Sequence, residues 1–361
     1  FFSGRPMVCG RSRKGPEQGP AGVGFRPPYG RSNAEIRTGL ARWSAFAGRL
    51  NPAPVEAIEM KQVVLGGMAL LLAAVPARAD LKAGLEALRR GGYEFALSEL
   101  TPLAESGSAE AQFHLGELHR HGQGVRKDLA VAAGWHRKAA EQGHAGAQFR
   151  LGYMLADGLG VPQDYAEGAK WYRLAAEQGH TSAQLRLSSL YHIGLGVPQD
   201  YREAAKWVRK VAEKGNAGAE SQMGHMYYVG EGLPQDYALA LRWYRKAARK
   251  GHTAAEARLG LMYENGWAVG RDFSAAVKWY RRAAGKGEDG AQVDLGRMYA
   301  HGRGVPRDYS EAVKWFRKAA VGRRDARAQY HLGFMYANGL GVPKDLDQAI
   351  HWFQKAARQG F

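Results

Sequence analysis

The chain has 361 residues, with 51 Lys and Arg against 34 Asp and Glu, and a formal net charge of +17. Its 45% hydrophobic content is enough for a packed core and excludes global disorder. The one cysteine, Cys9, excludes an intramolecular disulfide framework and a four-cysteine zinc site, and the 48 glycines follow no G-X-Y period, which excludes collagen.

Residues 1–59 open at Phe1 and run through Gly, Arg and Pro, as in Arg11-Ser12-Arg13-Lys14-Gly15-Pro16 and Arg26-Pro27-Pro28, with no sustained apolar period. They read as disordered, non-native upstream translation ahead of a true initiator at Met60. Met60-Lys61-Gln62 then opens an apolar run from Val63 to Val75, closed by Ala77-Arg78-Ala79. A basic residue, a short apolar core and small residues at −3 and −1 make a signal peptide over 60–79. A membrane span needs about 20 apolar residues, more than this run supplies. The pattern predicts cleavage between Ala79 and Asp80 and a mature chain without a membrane span, exported to the periplasm or secreted. No Cys follows the run, which argues against a lipid-anchored cleavage site.

From Ala109 the chain aligns in blocks of 36 that start at Ala109, Ala145, Thr181, Ala217, Thr253, Asp289 and Ala326, the sixth with one extra residue. Each reads approximately A-x-A-Q-x-x-L-G-x-M-Y-x-x-G-x-G-V-P-x-D-Y-x-x-A-x-K-W-Y-R-K-A-A-x-x-G-H. Leu115, Leu151, Leu187, Met223, Leu259, Leu295 and Leu332 share one column. Four residues on stand His119, Leu155, Tyr191, Tyr227, Tyr263, Tyr299 and Tyr336, so both columns lie on one face of a first helix. Beside the Leu column a Gly recurs, with Ser188 as the exception. Gly inside a helix costs about 1 kcal/mol against Ala, so its recurrence points to a neighbouring helix approaching closely.

The first helix stops at Gly-x-Gly-Val-Pro, as in Gly158-Leu159-Gly160-Val161-Pro162. Asp128, Asp164, Asp200, Asp236, Asp272, Asp308 and Asp345 then stand where they can cap a second helix. That helix carries a Trp column, from Trp135 to Trp352, read as core, then small Ala pairs. It closes at Gly143, Gly179, Gly215, Gly251, Gly287 and Gly360, suited to the left-handed conformation. The sixth unit has Gly322-Arg323-Arg324 instead, which predicts a distorted corner.

This pattern resembles the Sel-one-like repeat (SLR) family, relatives of the tetratricopeptide repeat, in its exported bacterial type. The resemblance covers 109–361 as units 109–144, 145–180, 181–216, 217–252, 253–288, 289–325 and 326–361. Residues 80–108, with Tyr93, Ala96, Leu97 and Pro102-Leu103-Ala104-Glu105, look like a degenerate leading pair that caps the array. His119, Ser188, Gly134 before the first Trp, and Ala268 with Gly270 depart from the pattern. The resemblance implies an all-α fold, an α/α superhelical solenoid of seven helix-turn-helix repeats plus that leading unit. It also implies a non-enzymatic adaptor that binds another protein of the bacterial cell envelope. In tetratricopeptide-like stacking the first helices line the concave face, and candidate contacts away from the Leu and Tyr columns are Phe113, Tyr153, His192, His225, Tyr228, Glu264, Arg297, His301 and Phe334.

Little else in the repeats carries chemistry. His144, His180 and His252 share a unit-end column too spread out for one metal site, and His114, His119 and His121 lack a second ligand cluster. No strand precedes the Gly-x-Gly turns, so they are not nucleotide loops. No catalytic set, cofactor site or metal site stands out. A branch of the family linked to β-lactam binding or hydrolysis carries paired Cys in its repeats, which 109–361 lack. A basic ladder around each Trp, such as Lys206/Arg209/Lys210, reads first as a solvated outer face that favours the helix dipole, and secondarily as a binder of anionic envelope polymer. Export argues against nucleic acid. The final helix carries Ile350, Trp352, Phe353 and Ala356-Ala357, an apolar set that leaves three explanations open: a missing C-terminal segment, self-association through that edge, or a tolerated frayed end.

Overall fold

The computed structural model describes residues 79–322 and 325–361. The expectations for 1–59, for the body of the signal peptide, for Cys9 and for Arg323-Arg324 lie outside the described residues. Among those described are sixteen α-helices and no strand. The leading pair is α1 (Leu81–Arg90) and α2 (Tyr93–Glu105). The seven units follow as α3 (Ala109–His121) and α4 (Leu129–Glu141), α5 (Ala145–Asp157) and α6 (Tyr165–Glu177), α7 (Thr181–Ile193) and α8 (Tyr201–Glu213), α9 (Ala217–Val229) and α10 (Tyr237–Arg249), α11 (Thr253–Asn265) and α12 (Phe273–Gly285), α13 (Asp289–His301) and α14 (Tyr309–Val321), and α15 (Ala326–Asn338) and α16 (Leu346–Ala357). Each helix packs on the next in sequence. The chain is an all-α solenoid.

Local chemistry sets every boundary. Each repeated Asp N-caps its second helix; Asp164 accepts from the amides of Ala166 and Glu167 at 2.9 Å each, a cap worth about 1 kcal/mol. The unit-end His side chains are caps as well: Nδ1 of His144, His180 and His252 accepts from Ala147, Ala183 and Ala255 at 3.0, 3.2 and 3.4 Å. First helices end on a left-handed glycine, such as Gly158 at φ 67°. Two residues on, Gly160 has φ 71°, and a Cβ there would lie 2.3 Å from the carbonyl carbon of Leu129 in the preceding unit. The fifth loop departs, with Ala268 in the left-handed region at φ 57°, a conformation that costs a non-glycine residue about 1–2 kcal/mol.

The core corrects one expectation. The Trp column is only partly buried apart from Trp207, and the fully buried ring is the next residue. Tyr172, Tyr244, Tyr280 and Phe316 are at most 2% exposed, His136 and Val208 fill the same column, and Phe353 of the last unit is partly buried there. The recurring glycine makes room for that ring: a Cβ on Gly260 would meet Tyr280 Cδ1 at 2.5 Å. Where the ring is replaced by the smaller Val208, the glycine is replaced by Ser188, whose hydroxyl donates to the Ala204 carbonyl at 3.0 Å. Each Trp of this column except Trp171 instead carries a cation over its ring, 4.0–4.8 Å from the centroid, as with Lys210 over Trp207.

The basic ladder is therefore more than a solvated face. Besides the cations over Trp, a second column joins units. Arg209, Arg245, Arg281 and Arg317 donate to Tyr227, Tyr263, Tyr299 and Tyr336 of the following unit at 2.9, 2.8, 2.8 and 3.0 Å, and Arg173 does so to Tyr191. Arg137 would face Leu155, and it turns to Glu167 at 2.8 Å instead. At the sixth corner Gly322 has φ −61° rather than the left-handed φ of the other unit ends, and Asp325 takes over the N-cap of α15.

Candidate partner-binding face

The first helices α3 to α15 present one face each that the inter-unit packing does not fully consume, and it carries three polar or aromatic neighbourhoods. The first centres on Glu117 of α3, whose carboxylate lies 2.8 Å from Arg120, 3.1 Å from Arg150 and 3.2 Å from the buried His136. Burial would raise its pKa, but the close contact of His136, the hydrogen bonds of Arg120 and the charges of Arg150 and Arg120 outweigh that and hold the carboxyl well below the usual range. Phe113 stacks on His144 with centroids 4.6 Å apart, and Glu110 links His114 and His144 at 3.2 and 3.0 Å.

The second neighbourhood joins α9 and α10 to the fifth loop. Tyr228 packs edge-on to Trp267 at 5.3 Å, Trp267 stacks on Tyr237 at 5.6 Å and 12°, and His225 lies 6.5 Å from Tyr228. Burial and the Arg258 charge lower the His225 pKa. Nearby, His192 pairs with Glu231 at 3.2 Å.

In the third, Glu264 of α11 accepts the Tyr280 hydroxyl at 2.8 Å, and Arg297 of α13 bridges to Asp294 at 2.9 Å and to Glu264 at 3.7 Å. Burial raises the Asp294 pKa against the pull of Arg297. His331 of α15 stacks on Phe316 at 4.7 Å; burial and then the charges of Arg297, His301 and Arg327 push its pKa down to about 4. A cleft of about 230 Å³ between α11 and α13 is lined by Arg258, Leu261, Asp294 and Arg327.

The nine residues singled out from sequence thus divide. His225 and Tyr228 come together, as do Glu264 and Arg297, with His301 exposed beside Arg297 and Arg303. Phe113 is spent on His144, Tyr153 packs against the core of the neighbouring unit, and His192 is held by Glu231. Phe334 is 44% exposed. Glu264 is placed otherwise than expected of a free contact: at 8% exposed it is a buried partner of Tyr280. Sequence reading passed over Arg258, Trp267 and Tyr244. Trp267 and Ala268 break the loop pattern, and that break was the available signal. Among the described residues no group of His, Cys, Asp and Glu is arranged to hold a metal ion, and no helix is long and apolar enough to cross a membrane.

Two solved structures are similar along most of the chain. A protective antigen of uropathogenic Escherichia coli strains displaying an SLR fold is 40% identical over 73% of this chain, with a TM-score of 0.67. The match spans only 56% of that antigen's length. A Sel1 repeat protein from Oxalobacter formigenes is 33% identical, covering 81% of this chain and 87% of its own, with a TM-score of 0.66. No curated protein matches. The family model described as Sel1 repeat matches residues 109–144, 145–180, 181–216, 217–252, 253–288, 290–320 and 326–361. With seven matched units on consecutive helix pairs, the chain belongs to the Sel1 repeat family.

Proposed function

We propose that the protein is a non-enzymatic scaffold of the bacterial cell envelope that binds another protein along the face of its first helices. Sel1 repeat proteins generally mediate protein–protein interaction and are generally non-enzymatic. One observation carries the choice of face: the second helices' aromatics lie beneath cations, whereas His225, Tyr228, Phe334 and the Arg258 and Arg297 guanidiniums remain at the first-helix surface. Aromatic and Arg side chains are the residue types that anchor protein interfaces. Export is read from residues 60–79, with Asp80 as the mature terminus. That reading fits the start of the solenoid, where Asp80 caps α1 through the Lys82 amide at 2.8 Å.

The test is capture from envelope extract. Tyr228→Ala, Phe334→Ala and Arg297→Ala should each weaken retention of the partner while helicity is unchanged; undiminished capture by all three removes this face. N-terminal sequencing of exported protein should begin at Asp80, and a mature terminus within 1–59 overturns the export reading. Hydrolysis of a chromogenic β-lactam by pure protein overturns the non-enzymatic one.

A further inference from the structure

Two adjacent units solve the same position differently. In the fifth, Tyr280 is fully buried and donates its hydroxyl to Glu264 at 2.8 Å, with Arg297 and Arg303 3.7 and 4.0 Å from that carboxylate. The repeat register carries this arrangement back by one unit. Tyr244 then stands for Tyr280, Tyr228 for Glu264, Arg258 for Asp294 and Leu261 for Arg297. The position keeps its buried hydroxyl and gains a cation, but it has lost both acids.

The consequences are visible in the side chains. Tyr244 is 1% exposed, and its hydroxyl has no hydrogen-bond partner among the described residues. The groups that act on it electrostatically are Arg258 and Tyr228. Arg258 is exposed on the first-helix face and makes no ion pair or hydrogen bond among the described residues. The acid that acts on His225 is Glu231, and it is paired with His192 at 3.2 Å; of the acids that share a cleft with Arg258, Glu288 caps α13 and Asp294 pairs with Arg297. A buried donor without an acceptor is unfavourable, and a carboxylate is the group that satisfies both a hydroxyl and a guanidinium.

We propose that the fourth-unit position receives a glutamate side chain of the partner protein, its carboxylate accepting the Tyr244 hydroxyl and pairing with Arg258. Glutamate is the residue the chain itself uses at the equivalent position, where Glu264 accepts the buried Tyr280 hydroxyl. Tyr228, which acts on the Tyr244 hydroxyl, packs against Trp267 and lies 6.5 Å from His225. The assignment deepens the protein-binding reading and rests on it.

The test presents the full chain with capped peptide libraries that are random around a fixed central Glu or Gln, and with a third that ends in a free carboxylate. The wild type should retain the Glu library at least about tenfold better than the Gln library. Arg258→Gln and Tyr244→Phe should each remove most of that preference. Arg186→Gln, in the same column two units earlier where Asp157 already stands among the charges acting on Tyr172, should retain it. Tyr228→Glu supplies the carboxylate internally; it should abolish the preference and raise the unfolding midpoint. Equal retention of Glu and Gln by the wild type, a preference that survives both Arg258→Gln and Tyr244→Phe, or stronger retention of the free-carboxylate library overturns the proposal. The envelope capture assay separates the two levels. Partner capture lost in Arg297→Ala but untouched in Arg258→Gln rejects the glutamate position alone. Capture untouched by every first-helix substitution rejects the face itself.

Discussion

Removing the same atom from two equivalent tyrosines should have opposite effects. Tyr280→Phe deletes a hydroxyl that donates to the buried Glu264 at 2.8 Å, a charge-assisted hydrogen bond worth about 1.5–3 kcal/mol. Arg297 and Arg303, at 3.7 and 4.0 Å from that carboxylate, offset only part of the loss, so a destabilisation of about 1–2 kcal/mol is expected. Tyr244→Phe deletes a hydroxyl buried without a partner, which relieves a desolvation penalty; the result should be neutral or stabilising by up to about 1 kcal/mol. The packing change is closely matched, since both rings sit against a glycine of the paired helix, Gly224 or Gly260. For a folded region of this size 1 kcal/mol moves the melting temperature by roughly 2–4 °C. Thermal unfolding of the two single variants and the double variant therefore reads a difference of several degrees, with the double near the sum. Equal destabilisation by both variants would refute the reasoning, because it would mean that the Tyr244 hydroxyl also has an acceptor.

Size complementarity between the Gly column and the ring column gives a second outcome: Val208→Tyr alone should destabilise by about 1–3 kcal/mol through overpacking against Ser188, and adding Ser188→Gly should recover most of it, read by the same unfolding curves. Acidification should weaken the seventh unit. His331 is held neutral with a pKa of about 4 against about 6.5 unfolded, so its contribution is complete above pH 6.5 and lost as pH falls from there through 4. Discounting for partial exposure, this is about 2–3 kcal/mol, and His331→Gln should flatten that segment of a stability-versus-pH curve. At the other end, the Asp80 amide nitrogen lies 2.7 Å from Glu99 Oε2. If processing frees Asp80 as an ammonium, Glu99→Gln should lower the melting temperature of the processed chain more than that of the full chain.

The repeat was legible because its punctuation is local. A capping Asp, a Gly-x-Gly turn and a Pro act within a few residues of themselves, and helix boundaries follow from them without knowledge of what packs where. Choosing the core ring demanded more. Trp243 and Tyr244 are consecutive on one helix, and only the depth of the paired helix decides which is swallowed, though the pairing of Ser188 with Val208 was a readable sign. Glu264 shows the same limit at the candidate face. Its column holds Ala156, His192, Tyr228 and Ala300 in other units, and nothing in that series announces a carboxylate buried against a hydroxyl from the other helix of its unit. Bonds 18 residues apart, such as Arg245 to Tyr263, link two columns that were each visible while their meeting was not.

The polar seams also divide by ownership. At the unit ends side-chain matching stays inside a unit: Gln142 with Gln112 and Gln178 with Gln148, each at 2.8 Å, but Lys250 with Glu220 at 2.7 Å and Lys286 with Glu256 at 2.9 Å. Between units the same residues reach only backbone, Gln178 to the Gly143 carbonyl, Lys214 to that of Gly179, Lys250 to that of Gly215 and Lys286 to that of Gly251. A carbonyl is offered by every residue whatever its side chain, so at this seam, unlike the Arg–Tyr one, a unit makes few demands on the identity of its neighbour. Duplication or loss of a whole unit by recombination in the gene would then leave each internal match intact and re-form the seam around it, whereas an exchange that broke within a unit could set Lys against Gln or Glu against Gln. At this seam the array can change length without a matching change of side chain.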